Sequence, residues 1–407
     1  MKDIPKLDEV LLSKGAEYAP FDVMRVHRIY KGIAPICGFE NVFGKQCKVI
    51  HIMGTNGKGS TGRFITMGLA QHKKKALHFS TPHIFGFNER FYIAKEDYQG
   101  DIEQKELEAA HQELWSIPLA REASYFEYAT FLALLLAREY EYLVFEAGVG
   151  GEYDSTSVIQ ANVSVFTLIG LDHQEMLGSS IKEIALTKLK AMSGQVILAR
   201  QNDKEVEHLA QEIAQQKGLK CELWQDIHTA ERLRDEVEDF TKYCKKNALA
   251  AFLCENLYTA MRVLQYFGMY FDFTSLNPLS LRGRCERLSA HIVLDVGHNL
   301  DGARVLREYF GAKQVILVYN SYADKDIEAI LRELLPIIKK VLILYPNNPR
   351  ICPKEKLTNI LQMLAIEYED FDMAQMREDE EYLVFGSFSV IEAFLQQYRG
   401  KSCKINY

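Results

Sequence analysis

Short continuous apolar runs alternate along this chain with longer stretches in which apolar residues recur at helical spacing. Residues 48–53 read as a buried strand, as do 142–145, 163–168 and 196–199. The same pattern returns at 292–296, 315–319, 341–345 and 382–385, while 126–139, 181–192 and 326–339 read as helices. Strands alternating with helices predict an α/β fold of mostly parallel sheets. Continuously apolar strands fit sheets covered on both faces better than period-two alternation would. The stretch 202–244 is more polar, and peripheral helices, a small appended sheet or a mobile segment all fit it. No repeat, low-complexity tract or Pro/Ser-rich linker interrupts the pattern. The best boundary is Leu281-Arg282-Gly283-Arg284, just before a fresh alternation, which divides the chain into domains 1–282 and 283–407.

Length agrees with that division, since 407 residues at about 150 per domain give two to three domains. Forty-eight basic against 55 acidic side chains leave a net charge of −7, which argues against nucleic-acid binding. With 48% hydrophobic and 25% charged residues the composition is that of an ordinary globular protein. No run approaches the ~20 apolar residues of a membrane helix, and MKDIPKLDEVLL lacks the layout of a secretory signal. A cytoplasmic protein is expected. The eight cysteines form no CxxC pair and read as reduced structural thiols.

The first strong strand runs into Gly54-Thr55-Asn56-Gly57-Lys58-Gly59-Ser60-Thr61 and then into helical spacing. Strand, glycine-rich turn, lysine and hydroxyl residues, then helix builds an anion site. Glycines let backbone N–H groups close around phosphate oxygens, and the helix start adds a positive dipole end. Lys58 would reach the outer phosphates, and Ser60 or Thr61 would offer a hydroxyl to magnesium. The strict GxxxxGK[ST] pattern is not met: Ile52 stands where its first glycine would be, and Gly59 follows the lysine. A purely structural turn is the alternative, and its place between strand and helix speaks against that.

The loop resembles the GTNGKGS loop of folylpolyglutamate synthase and dihydrofolate synthase, a family within the Mur-ligase superfamily of ATP-dependent amide-bond-forming enzymes. Further blocks resemble the family's in its order. They are Ser80-Thr81-Pro82-His83, Ser124 to Glu127, Phe145 to Gly151 with Asp154, and Gly170-Leu171-Asp172-His173. Ile184-Ala185 with Lys188, Asn256, Gly283-Arg284, Asp295 to Asn299, Asp324 to Asp326 and Gly386-Ser387-Phe388 continue the series. The resemblance spans residues from about 50 to 390. It implies a Mur-ligase-like α/β fold: a P-loop ATPase domain with a mostly parallel sheet, then a smaller Rossmann-like carboxy-terminal domain.

The resemblance also implies chemistry. ATP would phosphorylate a carboxylate, and an amine would displace phosphate from the acyl phosphate. Charge in such a site must be spread by magnesium and cationic side chains. By resemblance Ser60, Thr81, Glu146, His173 and Lys188 hold metal, with Lys58, Lys188 and His173 in catalytic roles. Lys188 aligns with a lysine that many members carry as a carbamate, an anion able to serve a second magnesium. The residues around it depart from the family's, and Lys190 competes for the role. Asn256, Arg284, Asp295 and His298 would bind ATP from the domain junction, although Asp295 could instead cap a helix, as could Asn299 or Asp301. Potassium completes the implied cofactors.

For the substrate, residues 18–26, including Arg25, resemble a stretch near the pterin in the family. Ser124, Phe126 and Asp154 occupy positions that contact dihydropteroate in members with dihydrofolate synthase activity, with core packing the alternative for Phe126. Two departures bear on specificity: Glu152 stands where the family has arginine, and Ser157 where it has asparagine. The expected partners are small molecules, namely dihydropteroate or folate, L-glutamate and ATP, acted on by a monomer. Folate extension alone, a cell-wall precursor ligase, or a nucleotide-binding ATPase without ligase activity are the other readings. The last two normally carry the stricter loop with Ser or Thr after the lysine.

Overall fold

The computed structural model describes residues 4–15, 22–96, 98–225 and 236–404, with side chains to residue 399. Residues 18–21 of the stretch that includes Arg25, and 226–235 of the polar stretch, lie outside the described residues. The chain divides into two compact units, Met1–Asn247 with Glu255–Leu279, and Ala248–Cys254 with Ser280–Tyr407.

The first unit is built on an eight-stranded sheet. Its strands are β1 (Lys48–Met53), β2 (Ala76–Phe79), β3 (Phe91–Lys95), β4 (Tyr98–Asp101), β5 (Tyr142–Glu146), β6 (Val163–Phe166), β7 (Gln195–Leu198) and β8 (Cys221–Glu222). Their order is β4-β3-β2-β5-β1-β6-β7-β8. The strands from β2 to β8 in that order pair in parallel, and β3 and β4 add an antiparallel edge. From β1 the chain goes to β2 on one side, and from β6 to β7 on the other. The gap beyond the carboxyl ends of β1 and β6 is therefore a topological switch point, where open α/β sheets bind ligands.

Burial explains the apolar runs. All of β1 beyond Lys48 is buried, and so are β2 and β6 throughout. The helix Tyr125–Ala137 is buried on nearly all sides, which is why its sequence is apolar around its whole circumference. Phe131, Tyr128 and Leu132 from this helix join Phe79, Phe91 and Phe145 in one core cluster.

The second unit carries a six-stranded sheet. Its strands are β9 (Glu286–Arg287), β10 (Ile292–Asp295), β11 (Val315–Tyr319), β12 (Ile338–Ile343), β13 (Tyr368–Asp370) and β14 (Tyr382–Phe385). The order is β13-β12-β11-β14-β10-β9, parallel except for β9. Both sheets are thus mostly parallel and helix-covered, as the run pattern requires.

One expectation changes, and the open reading of the polar stretch is filled in among the described residues. The helix expected over 326–339 ends at Leu334, and Leu335–Ile337 is a 3₁₀ turn leading directly into β12. Pro336 lacks the N–H that would continue the helix. The polar stretch 202–244 holds the helix Lys204–Gln216, the short β8 and the start of the helix Val237–Lys246. The seven cysteines with described side chains are free thiols.

Candidate active site

The turn after β1 is held by β6's outgoing chain. Thr55 and Asn56 N–H groups donate to the Leu168 carbonyl at 2.8 and 3.2 Å, and the Thr55 hydroxyl donates to the Gly170 carbonyl at 3.0 Å. Gly57 sits at φ 89°, a conformation that favours glycine, and a Cβ there would lie 2.6 Å from the side-chain Oδ1 of Asn256. Lys58 opens the helix Lys58–Gln71, and its Nζ turns back to the carbonyls of Gly54 and Thr55, both at 3.3 Å. Asn256 Nδ2 donates to Ser60 Oγ at 2.8 Å, placing this sequence-distant residue against the loop. Thr61 Oγ1 is buried with no hydrogen-bond partner among the described residues. An orphaned hydroxyl in the first turn of this helix fits a site that takes an ion or phosphate.

Lys188 meets the same loop. It is 4% exposed, and its Nζ donates to the Gly54 carbonyl at 2.9 Å. Burial, reinforced by the Lys58 cation, lowers its pKa to about 7 against the opposing pull of Asp172 and Asp154. Lys190 instead faces solvent, with its Nζ 3.5 Å from Glu152. The loop Gly148–Gly151 lies directly on the Lys188 helix. A Cβ at Gly151 would be 2.6 Å from the Lys188 carbonyl, and Glu152 N–H donates to the Thr187 carbonyl at 2.9 Å.

Glu146 ends β5 and is buried; one of its oxygens lies 3.4 Å from the Thr81 N–H. The Thr81 hydroxyl accepts from Arg90 Nη1 at 2.9 Å, and Arg90 Nε donates to His83 Nδ1 at 2.9 Å. Arg90 is 1% exposed, and no spacing in the sequence marks it. His173 begins the short helix Gln174–Leu177 at φ 50°, its N–H bonded to Asp172 Oδ1 at 2.9 Å. Among the described residues no three His, Cys, Asp or Glu side chains gather as a metal cage. Magnesium does not need one, since it keeps waters and takes phosphate oxygens beside one or two carboxylates. The donors present, hydroxyls with Glu146 and an imidazole, fit that mode of binding.

On the proposed pterin side, Arg25 and Ser124 meet through Glu127. Arg25 Nε donates to Glu127 Oε2 at 2.8 Å, and the same oxygen accepts the Ser124 N–H at 2.8 Å. Glu127 completes the cap of the helix that Ser124 starts, so the sequence signal for it was the S-x-x-E spacing. The Phe126 ring lies 6.0 Å from Phe79 and covers Gly148, where a Cβ would be 2.7 Å away, so one side of it packs against the core. Asp154 is turned into its own loop. Its oxygens accept from Val149 N at 2.9 Å, Thr156 N at 2.9 Å and Thr156 Oγ1 at 2.5 Å.

In the second unit, the carboxyl end of β10 holds Asp295, whose oxygens accept from Cys285 N at 2.8 Å and Gly297 N at 2.7 Å. It is Asn299, accepting from Gly302 N at 2.9 Å, that caps the following helix. His298 Nδ1 pairs with the Val296 carbonyl at 3.1 Å, and the Arg284 guanidinium stands 5.1 Å from the Phe388 ring centroid. Arg284, Asp295 and His298 therefore share the edge formed by β10 and the chain entering β9.

No family model matches the chain. A crystal structure of Helicobacter pylori folylpolyglutamate synthetase is 41% identical, covers 97% of this chain and 98% of its own, and superposes with a TM-score of 0.76. The dihydrofolate synthase/folylpolyglutamate synthase of Escherichia coli is 25% identical over 363 residues, which are 84% of this chain and 85% of that protein. A Yersinia pestis bifunctional enzyme of the same name, complexed with AMPPNP and a manganese ion, shares the fold at TM-score 0.79 and 20% identity, covering 97% of this chain and 98% of its own.

Proposed function

Because the chain belongs to the folylpolyglutamate synthase/dihydrofolate synthase family, we propose that it joins L-glutamate to 7,8-dihydropteroate and to reduced folates, cleaving ATP to ADP and phosphate. It is an ATP-dependent carbon–nitrogen ligase. The observation that carries the reading is the loop where Lys58 and the buried Lys188 converge on Gly54 at the sheet's switch point. The AMPPNP and manganese of the Yersinia pestis enzyme support ATP and a divalent cation here.

The chemistry follows from charge. A carboxylate oxygen of the acceptor attacks the γ-phosphorus and the bond to ADP breaks. The glutamate amine then attacks the acyl carbon, the bond to phosphate breaks, and the amine loses a proton. Both steps crowd negative charge, which the first turn of the Lys58 helix and the Lys58 ammonium, once released from its own loop's carbonyls, would offset. Ser60, Thr81, Glu146, His173 and Lys188 would hold magnesium, which when bound polarises phosphoryl oxygens. Arg284, Asp295 and His298 belong to the nucleotide in this reading, with Asn256 steadying the loop through Ser60.

Lys188 is read as a carbamate. An amine adds carbon dioxide only when neutral, and its lowered pKa of about 7 supplies that form near physiological pH. Its burial also favours it over the exposed Lys190. A second magnesium and potassium complete this cofactor set.

A narrower reading, extension of reduced folates only, is favoured by the inward-turned Asp154 carboxylate. Mass spectrometry of separate reactions with dihydropteroate and with tetrahydrofolate decides between them. Dihydrofolate from the first supports the dual activity. A glutamylated product from tetrahydrofolate alone supports the narrower one, and ATP hydrolysis without either product refutes both.

A further inference from the structure

Beneath the phosphate loop lies a buried polar chain that the proposed chemistry does not use. His51 lies in β1, close before Gly54, and is 2% exposed; Thr156 is fully buried and Asp154 is 5% exposed. His51 Nε2 is 2.8 Å from Thr156 Oγ1, which is 2.5 Å from Asp154 Oδ1. The directions follow from the acceptor. A carboxylate surrounded by the N–H groups of Val149 and Thr156 accepts only, so the Thr156 hydroxyl donates to it. That hydroxyl then accepts from His51, which fixes the neutral imidazole with its proton on Nε2. Every polar atom named is thereby satisfied, and a fully satisfied buried network is rigid.

The carboxylate holds the loop at Val149 and again at Thr156. Between these anchors runs Gly150-Gly151-Glu152, the segment that lies on the Lys188 helix; just before them is Glu146, ending β5. A glycine-rich loop has no stiffness of its own. We propose that His51 and Thr156 are positioning residues: with Asp154 they pin this loop to β1, and so fix Glu146 and Lys188 relative to the phosphate loop. His51 stands beside Phe145 in the sheet register, so the strand carrying the phosphate loop and the strand carrying Glu146 are both tied to the relay. The magnitudes suit the role, because small misplacements of reacting groups cost large factors in rate.

The proposal rests on the ligase reading for its kinetic consequence but not for its structural one. Thr156→Val keeps the shape and removes the hydroxyl, while Thr156→Ser restores it. In ligand-free protein, hydrogen exchange of residues 147–156 should quicken at least tenfold in the valine variant, with the helix Lys58–Gln71 unchanged. In turnover, kcat should fall about tenfold or more and the magnesium requirement rise, with KM for the pteridine substrate little altered and the serine variant near wild type. Unchanged loop exchange overturns the relay even if the enzyme proves to be a ligase. Quickened exchange with an effect confined to the pteridine KM overturns the positioning role and returns Asp154 to substrate contact. Should the valine variant fail to fold, His51→Gln takes its place under the same criteria.

Discussion

Lys58 and Lys188 donate to one oxygen, the carbonyl of Gly54, at 3.3 and 2.9 Å. Burial first, and then the repulsion between two ammonium groups on one acceptor, lower the pKa of Lys188 to about 7. Converting it to a carbamate replaces that repulsion with attraction. Stripping carbon dioxide should therefore lower wild-type activity, and bicarbonate should restore it. Lys188→Ala should lose about 10²- to 10³-fold in kcat, as for removal of one preorganised charged group, and should ignore bicarbonate. Steady-state rates in degassed and bicarbonate-supplemented buffer check this.

Lys58→Ala should abolish ATP-dependent ligation, a loss of about 10³-fold or more. Among the described residues the side chain bonds carbonyls of its own loop alone, so the fold should survive. Far-ultraviolet circular dichroism together with product formation tests both halves. Wild-type turnover in the variant would refute the role.

Gly151→Ala probes the contact between loop and helix. The added Cβ would meet Lys188 backbone at 2.6 and 2.7 Å, atoms that cannot swing aside as a side-chain tip could. The loop or the helix must shift, and activity should fall by at least tenfold. The melting temperature should fall only by a few degrees, as for about 1–2 kcal/mol in a protein of this size.

These features differ in how far the sequence discloses them. The β1 strand and the phosphate loop were legible because continuous burial demands a continuous apolar run and the glycines are local. The edge strand β4, Tyr98–Asp101, was not: it is mostly exposed and carries no apolar pattern. Arg25 and Glu127 meet across 102 residues, and Arg90 reaches Thr81 only through the antiparallel edge of the sheet. Such pairings are products of topology, which no spacing rule reads. Asp154 shows the converse, a motif position whose carboxylate serves its own loop.

Stability should weaken as the medium is acidified. Burial lowers the pKa of His51 to about 4 and that of His78 well below its ordinary value. Above pH about 6.5 the histidines are neutral both folded and unfolded. Below it the unfolded chain takes up protons that the folded one refuses, so stability falls as pH drops toward 4. For His51 the loss is on the order of 3 kcal/mol by pH 4. Urea unfolding at pH 7 and pH 4.5 should show it, and His51→Asn should show a shallower decline; an equal decline would contradict the assignment.

The most direct test of the ligation chemistry follows one oxygen atom. Dihydropteroate labelled with ¹⁸O in its carboxylate, incubated with ATP, magnesium and L-glutamate, should pass one labelled oxygen to the released phosphate for each dihydrofolate formed; tetrahydrofolate labelled in its terminal carboxylate serves the narrower reading in the same way. Phosphate carrying no label while amide product accumulates would contradict activation through an acyl phosphate.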